Sequence, residues 1–426
     1  MKIWDKGYTI DNAVDKFTVG NDRELDMQIA KFDIQASKAH AAMLCKIGIL
    51  SEEELEGIDK VLDELLEQVE KDEFSIEESF EDVHSKIEHF LIEKLGDTGK
   101  KIHTGRSRND QVLVALHLFY KDEIGQIKAL TKALFNQLMR LSNQHKNIIL
   151  PGYTHMQVAM PSSFGLWFGA YAESLIDDIV LLNAALKVVD QNPLGSGAGY
   201  GSSFNLDRTE TTKLLGFETL KYNSIAAQMS RGKSEKTMSY AMASLAGTLS
   251  KFSMDVTLYM NENHGFISFP KELTTGSSIM PHKKNPDVFE LVRAKSNKIQ
   301  ALPTELTMIT NNLPHGYHRD FQMLKESVFP AIDMLKDCLE ITTFMLNHIT
   351  ITDGIMDDVK YKYVYSVENV NKLVQQGLSF REAYQQVGKS VEDGTYQPEK
   401  ELAHTHEGSL GSLCNDEIVE KFKKVF

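Results

Sequence analysis

Residues 110–145 read DQVLVALHLFYKDEIGQIKALTKALFNQLMRLSNQH. Val112, Leu113, Leu116, Phe119, Ile124, Ile127, Leu130, Leu134 and Leu138 fall at helical intervals, so the stretch predicts one long helix. Upstream, proline is absent from the first 150 residues, and Leu, Ala, Glu and Lys abound; both features favour helix. Residues 26–48 repeat apolar groups at helical spacing through Ile29, Phe32, Ile34, Ala41 and Leu44. Ser51 followed by Glu54 predicts a capping box for a helix running to about Glu70. Downstream, Pro161 is placed to open a helix that ends near Asp190. Residues 226–263, 286–311 and 321–349 complete a set of five long helices. The predicted fold class is all-α, with a central long-helix bundle. Helices this long and apolar on more than one face bury a second face against another subunit. Predicted boundaries near 105 and 350 give domains 1–105, 106–350 and 351–426, the last with short helices parted at Gln376-Gly377 and Asp393-Gly394.

The chain has 426 residues, 42% hydrophobic and 25% charged, with a formal net charge of -14. Such an acidic chain is a poor partner for nucleic acid or for an anionic membrane surface. No apolar run reaches the length of a membrane span, and the mixed-charge stretch Met1 to Asp22 does not read as a signal peptide. Cys45, Cys338 and Cys414 are single and widely separated, which suggests reduced thiols in a cytoplasmic protein and no zinc site.

Three polar clusters interrupt the helical pattern. HTGRSRNDQ, at 103–111, lies before the 110–145 helix. Helix N-termini expose unpaired N–H groups and carry positive partial charge, so Arg108 and Asn109 there form a ready carboxylate site. The alternative is a capping loop with Asn109 or Asp110 as N-cap. PGYTHMQ, at 151–157, carries His155, a group able to move protons near neutral pH, and Thr154, a donor for an oxyanion; a structural histidine is the alternative. GSSIMPHKKNPD, at 276–287, is a loop punctuated by Gly276, Pro281 and Pro286. Lys283 and Asn285 there suit negative charge developing on a carboxylate. Ser277 serves as a base only if its surroundings lower the cost of ionising its hydroxyl; a solvated basic loop is the alternative.

Residues 195–201, GSGAGYG, fit neither the dinucleotide fingerprint nor the phosphate loop and read as a flexible linker or crossing loop. His404 and His406, two apart, splay on a helix, so no metal site is expected.

Together the three clusters resemble the signature regions of the fumarase/aspartase superfamily, in its argininosuccinate lyase and delta-crystallin branch. The likeness continues through Asp33-Ile34-Gln35, Glu81-Asp82-Val83-His84 and Tyr317-His318-Arg319-Asp320-Phe321-Gln322. It implies three mostly helical domains and a homotetramer whose central helices form a shared bundle, each active site being assembled from loops of three chains. The implied reaction is cleavage of argininosuccinate to arginine and fumarate, with no cofactor and no metal. Ser277 matches the base, and Lys283 and Asn285 the groups that hold the aci-carboxylate. His155 with Thr154 matches the acid side, with Glu290 as the partner of His155. Ser107, Arg108 and Asn109 resemble ligands of the fumarate end. Tyr317, Gln322, Lys325 and Asp26 resemble contacts to the arginine end. Another fumarate-releasing lyase of the adenylosuccinate type and a non-catalytic crystallin are the other readings that the superfamily offers.

The chain departs from the branch in three places. His282 replaces the usual Gln. Gln228-Met229-Ser230-Arg231-Gly232-Lys233 replaces the usual Ser-Asp/Glu-Arg-Asp pattern. Thr18-Val19-Gly20-Asn21-Asp22 lacks the usual serine pair.

Overall fold

The computed structural model describes residues 11–426; the first ten residues of the polar N-terminal stretch lie outside them. Helices dominate, and the only sheets among the described residues are three two-stranded pairs. The five long helices are Arg108–Gln144, Phe164–Val189, Ser230–Met260, Asp287–Thr310 and Met323–Leu346. None of the described helices is long and apolar enough to cross a membrane. Two compact units divide the chain, and both take part of each long helix. The first comprises the chain through Ile127 with Leu181–Ser244 and Lys298–Leu335. The second comprises Lys128–Val180, Leu245–Asn297 and Lys336–Phe426.

In the first unit, the helices Ala30–Lys46 and Glu52–Glu70 pack side by side. Ser51 and Glu54 form the expected capping box: Glu54 N–H donates to Ser51 Oγ at 3.1 Å, and Ser51 N–H to Glu54 Oε2 at 2.9 Å. An aromatic cluster anchors the core, with Phe119 at 4.6 Å from Phe329 and 5.9 Å from Phe32 between ring centroids. Burying each such ring is worth about 1.5–3 kcal/mol. The Ser230–Met260 helix is broken early, at Arg231 (φ -63, ψ 129) and Gly232 (φ 83, ψ -38). A side chain at Gly232 would meet Thr310 Cγ2 at 3.0 Å and Phe321 Cε1 at 3.2 Å, so the break needs glycine on both counts.

The glycine-rich 195–201 segment is not a flexible linker. Gly195 and Gly197 donate their backbone N–H groups to Asp110 Oδ2, each at 2.9 Å, and Ser196 is fully buried. Four glycines there adopt positive φ, and the tight path they permit lets two amides converge on one carboxylate.

In the second unit, Trp167 Nε1 and Tyr171 Oη both donate to Asp255 Oδ2, at 3.1 and 2.6 Å, while Phe252 packs on both rings. Strands Ile149–Thr154 and Gln157–Ser163 form a hairpin in which Pro151 opposes Pro161. Pro161 therefore does not open the following helix. That helix begins at Phe164, where Ser163 Oγ accepts from Leu166 N–H at 3.0 Å. Proline lacks a donor and fixes φ, which suits an outer strand as well as a first helical turn; the nearby serine supplies the better cap. The short helices Ser366–Gln375 and Phe380–Glu392 enclose a small core of Val370, Ala383, Val387 and Tyr396. His404 and His406 lie in irregular chain, their ring centroids 6.5 Å apart. They are not splayed on a helix as expected, and His404 Nε2 pairs with Glu368 at 2.9 Å.

Candidate active site

The Arg108–Gln144 helix is capped at its start by two side chains. Ser107 Oγ accepts from Asn109 N–H at 3.2 Å, and Asp110 Oδ1 accepts from Ser107 N–H at 2.8 Å. Ser107 is the N-cap, not Asn109 or Asp110: a serine hydroxyl reaches the N2 amide while a carboxylate at N3 reaches back. Arg108 and Asn109 thus occupy the first turn and line a cleft of the first unit. Asp82 fixes the Arg108 guanidinium at 2.9 Å, with Glu81 at 3.6 Å. Burial alone would raise the Asp82 carboxyl, but the charge of His84, the Arg108 guanidinium and hydrogen bonds from Ser85 hold it below its ordinary value. His84 in turn pairs with buried Asp33 at 2.8 Å.

Asp26, Tyr317, Gln322 and Lys325 line the same cleft. Lys325 is nearly buried and places its ammonium 2.6 Å from both Asp22 and Asp26. Burial pushes Lys325 down, yet Asp26 and Asp22 outweigh it and its pKa is raised. Asp22 is nonetheless pushed up to about 6, chiefly by burial, which the Lys325 charge only partly offsets. One ammonium cannot fully compensate two buried carboxylates, so both shifts describe the same pair of acids sharing one cation. Gln322 Nε2 donates to the carbonyls of Thr18 and Val19 at 2.9 and 2.8 Å. The 18–22 segment that lacks the serine pair starts with the last two residues of the Asn12–Val19 helix and is held through its backbone.

The other expected residues lie in the second unit. The turn of the Ile149–Thr154/Gln157–Ser163 hairpin is His155-Met156, with Thr154 opposite Gln157. Both turn residues are left-handed, His155 at φ 53 and Met156 at φ 60, a conformation that costs a non-glycine residue about 1–2 kcal/mol. This cluster is a hairpin tip and not the lead-in to a helix. The 276–287 loop is closed by a bridge between Thr275 and Asn285, with Asn285 Nδ2 donating to Thr275 Oγ1 and the Gly276 carbonyl at 3.3 Å each. Ser277 Oγ accepts from the N–H groups of Ile279 and Met280 at 3.3 and 3.2 Å. Two donors aimed at that oxygen favour its negative form. Lys283 is exposed on the same loop, and Glu290 is exposed in the first turn of the Asp287–Thr310 helix. Among the described residues no hydrogen bond or ion pair joins His155 to Ser277, Lys283, Asn285 or Glu290.

Eight further cleft residues, Asp22, Glu81, Asp82, His84, His103, Val112, Arg231 and Arg319, carry no site role in the reading of the sequence. Asp82 and Arg319 lie inside quoted motifs, where adjacency to Glu81-His84 and Tyr317 was the available signal. Asp22 and Arg231 lie inside segments noted only as departures.

Residues 7–301 match the family described as "Lyase". The argininosuccinate lyase of Bacteroides fragilis is 54% identical over 418 residues, 98% of this chain and 94% of that protein. That of Bacteroides thetaiotaomicron is 53% identical over 425 residues, 100% of this chain and 95% of the relative. In fold the chain is similar to a crystal structure of EDDS lyase in complex with formate, with a TM-score of 0.80 and 21% identity, covering 98% of this chain and 91% of that one.

Proposed function

We propose that this chain, which belongs to the argininosuccinate lyase family, is an enzyme that cleaves argininosuccinate reversibly to arginine and fumarate in arginine biosynthesis. The observation that carries this reading is the composition of the first unit's cleft, where Arg108 and Asn109 at a helix start share one cavity with Asp22, Asp26 and Lys325. Cationic and amide donors suit a dicarboxylate; paired acids beside a lysine suit an amino acid's mixed charges.

The hard step is removal of a proton from carbon next to a carboxylate. In our reading Ser277 Oγ takes that proton, and the C–H electron pair enters the neighbouring carboxylate to give a dianionic aci-carboxylate. Lys283 and Asn285 steady this charge, which exists only during reaction. The electrons then return to form the carbon–carbon double bond, the C–N bond breaks, and its pair leaves on the guanidinium nitrogen, which takes a proton from the His155 side with Thr154. Glu290 orients His155, and Ser107 adds to the fumarate end. Tyr317 and Gln322 contact the arginine end. The donors from Ile279 and Met280 to Ser277 Oγ support its role as base.

The proposed assembly is a homotetramer whose active sites combine segments of three chains. Met254, Leu291 and Met308, all on long helices, are 45%, 61% and 66% exposed, and a second apolar face of this kind supports burial between subunits. The small core around Val370 supports a last domain of 351–426, beside 1–105 and 106–350. Three free cysteines support placement in the cytoplasm. Incubating purified protein with argininosuccinate and following the ultraviolet absorbance of fumarate tests the reading; no fumarate from argininosuccinate would overturn it, and fumarate from adenylosuccinate instead would assign the other lyase activity.

A further inference from the structure

Beside the cleft, the first unit has a second pocket, walled by the turn after the helix break and by residues 310–316. Lys233, Lys236 and His315 line it together with Arg231 and Tyr240, and no carboxylate is among the described residues that line it. Arg231 is buried and lines both this pocket and the cleft. Its Nη2 donates to the Phe321 carbonyl at 2.9 Å, and its Nε lies 3.2 Å from Glu235 Oε1. Neither Nε nor Nη1 makes a hydrogen bond among the described residues, the Glu235 contact being an ion pair only. Burying a guanidinium with donors unmet is costly, and an anion held beside it offsets that cost.

We infer that this pocket is a binding site for a small dianion, with inorganic phosphate the simplest candidate. The charge count sets the class. Arg231 and Glu235 offset one another, which leaves the two ammonium groups of Lys233 and Lys236 for the ligand. Glu235 also accepts the Gly232 N–H at 2.7 Å, so the start of the helix is already capped and the ligand is held by side chains. The positive field has a second witness nearby. Burial first, and then the charge of Lys233, hold the Lys221 ammonium below its ordinary value. The departure at 228–233 fits the same picture, because Gly232 follows Arg231 where the resemblance puts an acid, and a negative charge is thereby absent from the pocket wall.

Occupancy reports to the cleft by two routes. Arg231 lines both cavities, and the segment that gives His315 to the pocket gives Tyr317 and Gln322 to the cleft. A dianion held beside the Arg231 guanidinium therefore raises KM for the cleft's substrate and leaves kcat unchanged.

The test is calorimetric titration of inorganic phosphate into the substrate-free protein in its solution oligomer, at low ionic strength. Binding is expected to weaken about tenfold or more in Lys233→Gln/Lys236→Gln, because two charge-assisted contacts are lost, and to stay unchanged in Lys423→Gln on the terminal helix. The single variant Lys233→Gln, at an exposed position, gives a smaller loss and guards against misfolding of the double variant. Succinate in place of phosphate separates a site for dianions in general from one for tetrahedral oxyanions. No phosphate binding to the unaltered protein, or equal affinity in the double variant, overturns the inference. The titration needs no substrate, so it fails or succeeds independently of the proposed reaction. The kinetic arm then asks whether phosphate raises KM in the unaltered protein and not in the double variant.

Discussion

Asp110 accepts the backbone N–H of Gly197 at 2.9 Å through the same carboxylate oxygen that takes Gly195, while its other oxygen takes Ser107 N–H. One buried side chain thus ties the glycine-rich segment to the turn that presents Arg108 and Asn109. Burial pushes Asp110 up to about 6 despite these three donors and the charge of Arg106.

Asp110→Asn keeps an oxygen for the glycines and turns an NH2 group towards Ser107 N–H. Leaving that amide unmet costs about 1–3 kcal/mol, and KM rises as the capping turn loosens. The pH dependence has a definite sign. A carboxyl whose folded pKa is raised above its ordinary value of 3.8 to about 6 stabilises the fold most below about 4, and that contribution falls as pH rises to about 6. The destabilisation by Asp110→Asn is therefore expected to be largest near pH 4 and to shrink by about 3 kcal/mol towards pH 7. Thermal unfolding of both proteins across this range checks it; a gap constant with pH would refute the account.

Asp22, at about 6, titrates in the proposed arginine end of the cleft. Below that pH it is protonated, and a cationic group loses one carboxylate partner. KM is expected to rise as pH falls through 6, while Asp22→Asn, whose side chain cannot ionise, shows a raised KM with no such inflection. Initial rates at varied substrate concentration and pH decide between these outcomes.

Met156 holds a left-handed conformation in the hairpin turn beside His155. Met156→Gly removes the steric cost there and is expected to stabilise the second unit by about 1 kcal/mol, less what the freer unfolded chain takes back. Amide exchange of the hairpin should slow. Faster exchange would mean that the methionine side chain contributes more than its backbone costs.

Ser277→Ala is expected to lower kcat by about 10²–10⁴-fold with little change in substrate affinity. A Ser277→Ala chain mixed and refolded with a His155→Asn chain should recover part of the activity, since in a site built from several chains some sites receive neither change. Recovery no greater than either variant alone would count against shared sites.

The helices were legible because their causes are local. The apolar spacing of 110–145 and the Ser51-Glu54 pair act within a few residues of themselves, and both appear in the structure as expected. The motif residues were legible as types, since a serine, a lysine or a histidine in a glycine- and proline-punctuated loop announces its chemistry without its surroundings.

Only tertiary structure decided what those local signals left open. Pro161 suits a strand or a helix start equally, and its pairing with Pro151 chose the strand. The 195–201 glycines look mobile in isolation; an acid 85 positions away in the chain gathers two of their amides. The ionisation of Asp22 and the unmet nitrogens of Arg231 depend on burial, and burial is set by distant segments closing over a group, which no short window of sequence contains.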